Sequence, residues 1–138
     1  MVKDISEMLK SLIEVYDFNK NTLSKYLGIS VEQIEGIAQG NTDCFPTEFT
    51  VLSKIGFLYF SPVQDEDLKL SGFLEVLISY HNLSKKTIAK MAGVEVSDIE
   101  KMLSNPPAKI DIETKYKIAT TVMALRFFLK DCEPPIGN

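Results

Sequence analysis

Displaced by 65 residues, the chain superimposes on itself without a gap. LKSLIEVYDFNKNTLSKYLGISVEQIEGIAQGN, from Leu9, aligns with LEVLISYHNLSKKTIAKMAGVEVSDIEKMLSNP, from Leu74. Apolar residues coincide at Leu9/Leu74, Leu12/Leu77, Ile13/Ile78, Phe18/Leu83, Leu23/Ile88, Leu27/Ala92, Ile29/Val94, Val31/Val96, Ile34/Ile99 and Ile37/Met102. Gly28 falls on Gly93, and Lys20 and Lys25 fall on Lys85 and Lys90. A shared apolar pattern means that one core is built twice. A chain of 138 residues has room for one ordinary domain or two very small ones, and the repeat selects the second. Residues 1–62 and 68–138 are the expected domains. Ser61 to Asp67, with Pro62 and three acids, reads as the linker.

Each copy predicts four helices and no strand. Met8, Leu9, Leu12, Ile13 and Val15, like Phe73, Leu74, Leu77 and Ile78, fall at helical spacing. Asn19 and Ser84 stand where an N-cap would open a second short helix, NTLSKYL or KTIAKMA. Gly28 and Gly93 end it, since a left-handed residue is cheapest as glycine. Ser30 and Gln33 have the spacing of a capping box for a third helix. In the second copy Ser97 and Glu100 have it, which predicts a displaced start. Gly40 and the run Asn105, Pro106, Pro107 stop these helices. A fourth helix is expected over about Thr47 to Phe60, and its counterpart over about Ile112 to Lys130.

A short helix, a glycine turn and a second helix at this apolar spacing form a helix-turn-helix pattern. The slots between the two helices hold Leu23, Ser24, Leu27, Gly28, Ile29, Ile34 and Ile37 in the first copy. Ile88, Ala89, Ala92, Gly93, Val94, Ile99 and Met102 fill them in the second. The chain thus resembles the Cro/lambda-repressor-like family of small all-helical domains, twice over. The resemblance implies a bacterial or phage-type DNA-binding transcriptional regulator, with the third helix in the major groove and the start of the second on phosphates. By position, it assigns base reading in the second copy to Ser97, Asp98 and Lys101. Phosphate contact falls to Lys85, Lys86, Thr87 and Lys90. In the first copy the equivalents are Glu32, Gln33 and Gly36, with Lys20, Asn21 and Thr22 at the second-helix start.

Charge divides the two copies. Residues 1–68 hold five lysines against eleven acids, a net −6, whereas residues 69–138 hold ten basic groups against eight acids, a net +2. Acids facing phosphates are repulsive, and the backbone term supplies much of DNA affinity. DNA contact is therefore expected mainly through the second copy. The acidic third helices also fit a second role, that of a protein-interaction adaptor on a helix-turn-helix scaffold with reduced DNA affinity.

Enzymatic chemistry has little to stand on. There is no glycine-rich phosphate loop, and Asp65, Glu66 and Asp67 are consecutive rather than opposed. His81, aligned with Tyr16, reads as a part-exposed residue at a first-helix end with no nucleophile beside it. Cys44 and Cys132 read as loop and terminal thiols, too few for a metal site. No cofactor or metal is expected. Met1 to Lys10 lacks the apolar stretch of a signal peptide, and a cytosolic setting is the expectation. Val122 to Leu129 is apolar nearly all round, so the last helix is expected to be central or in an interface. The favoured arrangement packs the two fourth helices together as a pseudo-dimer; a homodimer through the Phe127, Phe128 region is the alternative.

Overall fold

Asn19 and Ser84 open the second helices as expected. Asn19 Oδ1 accepts from the backbone N–H groups of Asn21 and Thr22, and Ser84 Oγ accepts from that of Thr87. Gly28 and Gly93 close them in the left-handed region, with φ of 72° and 71°. The computed structural model describes residues 4–133. Eight α-helices and no strand lie among them: α1 (Ile5–Glu14), α2 (Lys20–Leu27), α3 (Val31–Ala38), α4 (Phe49–Phe60), α5 (Glu66–Ser79), α6 (Lys85–Ala92), α7 (Val96–Leu103) and α8 (Ile112–Leu129). The chain divides into two compact units, the first ending at Val63 and the second beginning at Gln64.

Each unit has its own core. Leu9, Leu12, Leu23, Ile34, Ile37 and Ile55 are fully buried in the first. Leu74, Leu77, Ile88, Ile99, Met102, Ile118 and Val122 are in the second. The 65-residue register holds from Leu9/Leu74 to Ile37/Met102. It then slips by two, because Val51 and Ile55 of α4 are matched by Ile118 and Val122 of α8.

The joint between the first two helices also repeats. Asp17 and Asn82 take φ of 57° and 55°. Beyond them the Phe18 N–H returns to the Leu12 carbonyl at 2.9 Å, and the Leu83 N–H to the Leu77 carbonyl at 3.1 Å. Both residues tolerate this region better than most side chains do.

Two expectations need correction. The acids at 65–67 are not linker: Asp65 caps α5 through the Leu68 N–H, and Glu66 and Asp67 form its first turn. Carboxylates there favour the positive helix end, so α5 starts well before Phe73. The third helix of the second copy is not displaced either. α7 starts at Val96, in register with Val31, because Asp98 accepts the Glu95 N–H at 3.1 Å and sets the cap at Glu95. α8 buries one of its apolar sides. Ile118 and Val122 face the core, while Phe127 and Phe128 remain 64% and 71% exposed.

A Cβ on Gly28 or Gly93 would meet no atom within 4 Å, so only backbone strain opposes a side chain there. Gly28→Ala and Gly93→Ala should each lose about 1–2 kcal/mol in urea denaturation followed by circular dichroism. Gly56→Ala in α4 and Gly72→Ala in α5, where space is equally open and φ is helical, should gain about 0.5–1 kcal/mol.

Candidate nucleic-acid interface

In the second unit, Ile99 and Met102 anchor α7 in the core. Helical geometry then sends Ser97 and Lys101, one turn apart, to the opposite side, and both are exposed. Asp98 is half-buried, and its carboxylate is committed to the helix cap, so it is a poor base reader. At the start of α6, Thr87 bonds back to Ser84, with 2.9 Å between the hydroxyls. Lys85 and Lys86 occupy a first turn with no acid in it. Lysine there works against the helix dipole. Lys85 is met by Glu100 of α7, at 4.0 Å. Lys86, Lys90 and Lys101 are exposed and carry no ion pair among the described residues. The loop from Ser104 to Asp111 stays at the end of α7, where the Ala108 N–H donates to the Lys101 carbonyl at 2.9 Å.

The first unit differs at the same positions. Ile34 and Ile37 anchor α3 in the same way, and Ser30 caps it through the Gln33 N–H. The Gln33 side chain, however, does not complete a capping box. Its Nε2 donates to the Cys44 carbonyl at 3.0 Å. Cys44 belongs to a 3₁₀ turn, Thr42–Cys44, and its side chain lies on Gly36. A Cβ at Gly36 would stand 2.9 Å from the Cys44 Cβ, so only glycine fits beneath the turn. Gln33 and Gly36 are the counterparts of Asp98 and Lys101. The side of α3 that should read bases is therefore covered at Gln33 and Gly36 by the chain itself, while Glu32, the counterpart of Ser97, stays exposed. Cys44 is correspondingly a half-buried loop thiol. Lys20, the expected phosphate contact, is paired with Glu35 at 3.1 Å. Asn21 and Thr22 are exposed at the head of α2.

Neither the turn on α3 nor the Lys–Glu pairs appear in the resemblance. The pairs had a signal: Lys20/Lys85 and Glu35/Glu100 obey the same 65-residue register as the core. The turn had only the glycine at position 36.

His81 is less accessible than expected. Its side chain is 5% exposed, and Nε2 lies 3.0 Å from Glu133 Oε2. Arg126 holds the same carboxylate at both oxygens, at 2.7 and 3.1 Å, and its guanidinium stacks over Phe73. This ties α5, α8 and the chain after α8 together; nothing in it resembles a reacting pair. Among the described residues no cluster of three His, Cys, Asp or Glu groups could hold a metal, and no helix is long and apolar enough to cross a membrane.

Two units in which a capped second helix turns through a left-handed glycine into a core-anchored third helix define a helix-turn-helix protein. A family model described as a helix-turn-helix domain matches residues 1–135, and the chain belongs to that family. Family and all-helical fold together point to a non-enzymatic DNA-binding regulator in general terms. No curated protein and no solved structure matches the chain.

Burial pushes the Glu133 pKa up, but hydrogen bonds and charge from His81 and Arg126 outweigh it and hold the carboxyl below its ordinary range. A depressed carboxyl stabilises the fold above its unfolded value, near pH ~4.3, and that stability is lost as pH falls through the folded value. Glu133→Gln should cost about 1–3 kcal/mol at pH 7, and the gap to wild type should close in denaturation curves taken progressively below pH ~4.

Proposed function

We propose that the protein is a transcriptional regulator of the Cro/lambda-repressor-like type that contacts DNA through its second unit. The observation that carries this reading is the contrast between the third helices. The outer side of α7 is open and presents Ser97 and Lys101, whereas on α3 the position equivalent to Lys101 lies under Cys44 and its turn and the exposed counterpart of Ser97 is an acid, Glu32. Lys86 and Lys90 supply the unpaired positive charge for phosphates, and Lys86 stands at a helix N-terminus suited to an anion. Lys101 is the one long cationic side chain on α7 able to reach a base edge. The first unit, net acidic and closed on its reading side, is left for a protein-facing adaptor role.

Binding to a random-sequence duplex, measured by fluorescence anisotropy across a salt series, tests the reading. Wild type should bind at ~50 mM salt and weaken steeply by ~200 mM. Lys86→Glu and Lys101→Glu should each abolish most of that binding, while Lys20→Ala and Gln33→Ala leave it unchanged. No binding at ~50 mM salt would overturn DNA contact and favour the adaptor.

α8 supports a second copy of this chain as partner. Ile112, Tyr116, Met123 and Phe127 form an exposed apolar stripe opposite Ile118 and Val122. Their spacing is symmetric about the midpoint between Ala119 and Thr120. A two-fold axis there sets Ile112 against Phe127 of the second copy, and Tyr116 against its Met123, as a self-complementary interface requires. Sedimentation should give a dimer that Phe127→Glu converts to monomer. A monomeric wild type at tens of micromolar would refute it.

A further inference from the structure

The two Lys–Glu pairs are the most conspicuous feature that the DNA reading leaves unused. Each joins the first residue of a second helix to the fifth residue of the third: Lys20 to Glu35 in the first unit, Lys85 to Glu100 in the second. Both pairs are partly open to solvent. In the second unit the lysine is one that the family resemblance assigns to phosphate contact. Lys85 sits beside Lys86 in the first turn of α6, with no acid of its own helix to offset it.

We propose that Glu100 competes with DNA phosphate for Lys85 and so sets the strength of the sequence-independent part of DNA binding. The proposal rests on the reading of α6 and α7 as the DNA-contacting helices. Before DNA arrives, Lys85 has the Glu100 carboxylate 4.0 Å away, which partly offsets its attraction for the duplex. To contact a phosphate it must exchange Glu100 for the phosphate oxygen, and the displaced carboxylate then stays near the polyanion. The cost falls on the backbone term, which is the same for every sequence. Contacts from Ser97 and Lys101 to base edges are untouched. The pair therefore lowers binding to every sequence by the same factor and leaves the preference for a correct site unchanged. An acid on a reading helix then acts as a brake on affinity for the polyanion.

The first unit provides an internal control. Its pair has the same construction, with a shorter contact, but stands beside an α3 whose reading side is closed.

A double-mutant cycle on the full chain tests the proposal with a random-sequence duplex as probe. Glu100→Gln should bind it several-fold more tightly than wild type, and the ratio should grow about threefold more between ~200 and ~50 mM salt, as one extra net charge at the phosphates requires. In a Lys85→Ala background the same change should give a clearly smaller ratio, because there is no lysine left to release and only the repulsion of the carboxylate is removed. Glu100→Ala should repeat both results, and circular dichroism checks that each variant keeps its helices. Glu35→Gln should leave binding at the wild-type level.

A gain from Glu100→Gln that persists undiminished without Lys85 would overturn the proposal, since simple repulsion would then account for it. An unchanged affinity would overturn it too. If Glu35→Gln gave an equal gain, both units would be touching DNA, and the assignment of contact to the second unit would fail while the competition stood. Failure of both wild type and Glu100→Gln to bind at ~50 mM salt would sink the DNA reading and the proposal with it.

Discussion

The core shared by buried aliphatic residues of the second and third helices governs each half of this molecule. Leu23 and Ile34 belong to it in the first unit, Ile88 and Ile99 in the second, and all four are fully buried. The left-handed glycine between the helices lets them turn sharply enough to share one core. Burial of Ile34 with Ile37, and of Ile99 with Met102, fixes the rotation of the third helix. What each third helix shows to the outside follows from that rotation. Lys101 is presented and Gly36 lies beneath the turn because of what their neighbours bury, one or two positions away.

Much of the framework was legible because it depends on residues close in sequence. Caps at Asn19, Ser84 and Ser30, and stops at Gly28, Gly93 and Gly40, each act over three or four residues. The repeated apolar pattern then located both cores. Errors arose where one residue type serves two purposes. Asp65, Glu66 and Asp67 suit a solvated linker and a helix start equally, and only the Leu68 N–H decides between them. Ser97 is a good cap by type, yet Asp98 imposes Glu95 instead. Asp17 and Asn82 share a left-handed conformation that neither residue type announces alone.

The site was less legible than the fold, for a physical reason. Whether Gln33 reads a base depends on Cys44, eleven residues away around a turn, and no local preference encodes that meeting. Lys20 and Lys85 look like phosphate ligands until partners fifteen residues downstream are brought beside them. α8 posed the same difficulty in another form. An apolar stripe on each side gives a helix with no dominant face, and composition alone does not say which stripe the core takes.

The closed side of α3 bears on how much information the protein can carry. A single inserted helix reads about three or four base pairs, and a four-base address recurs by chance about every 256 base pairs. Against the roughly 10⁶–10⁹ competing sites of a genome, one such reader locates nothing. Tandem duplication would ordinarily double the address within one chain. On the proposed reading, Cys44 and its turn cancel that doubling, so the second half of the address has to come from another molecule. The exposed stripe of α8 then becomes the feature that decides how long a word the assembly can recognise.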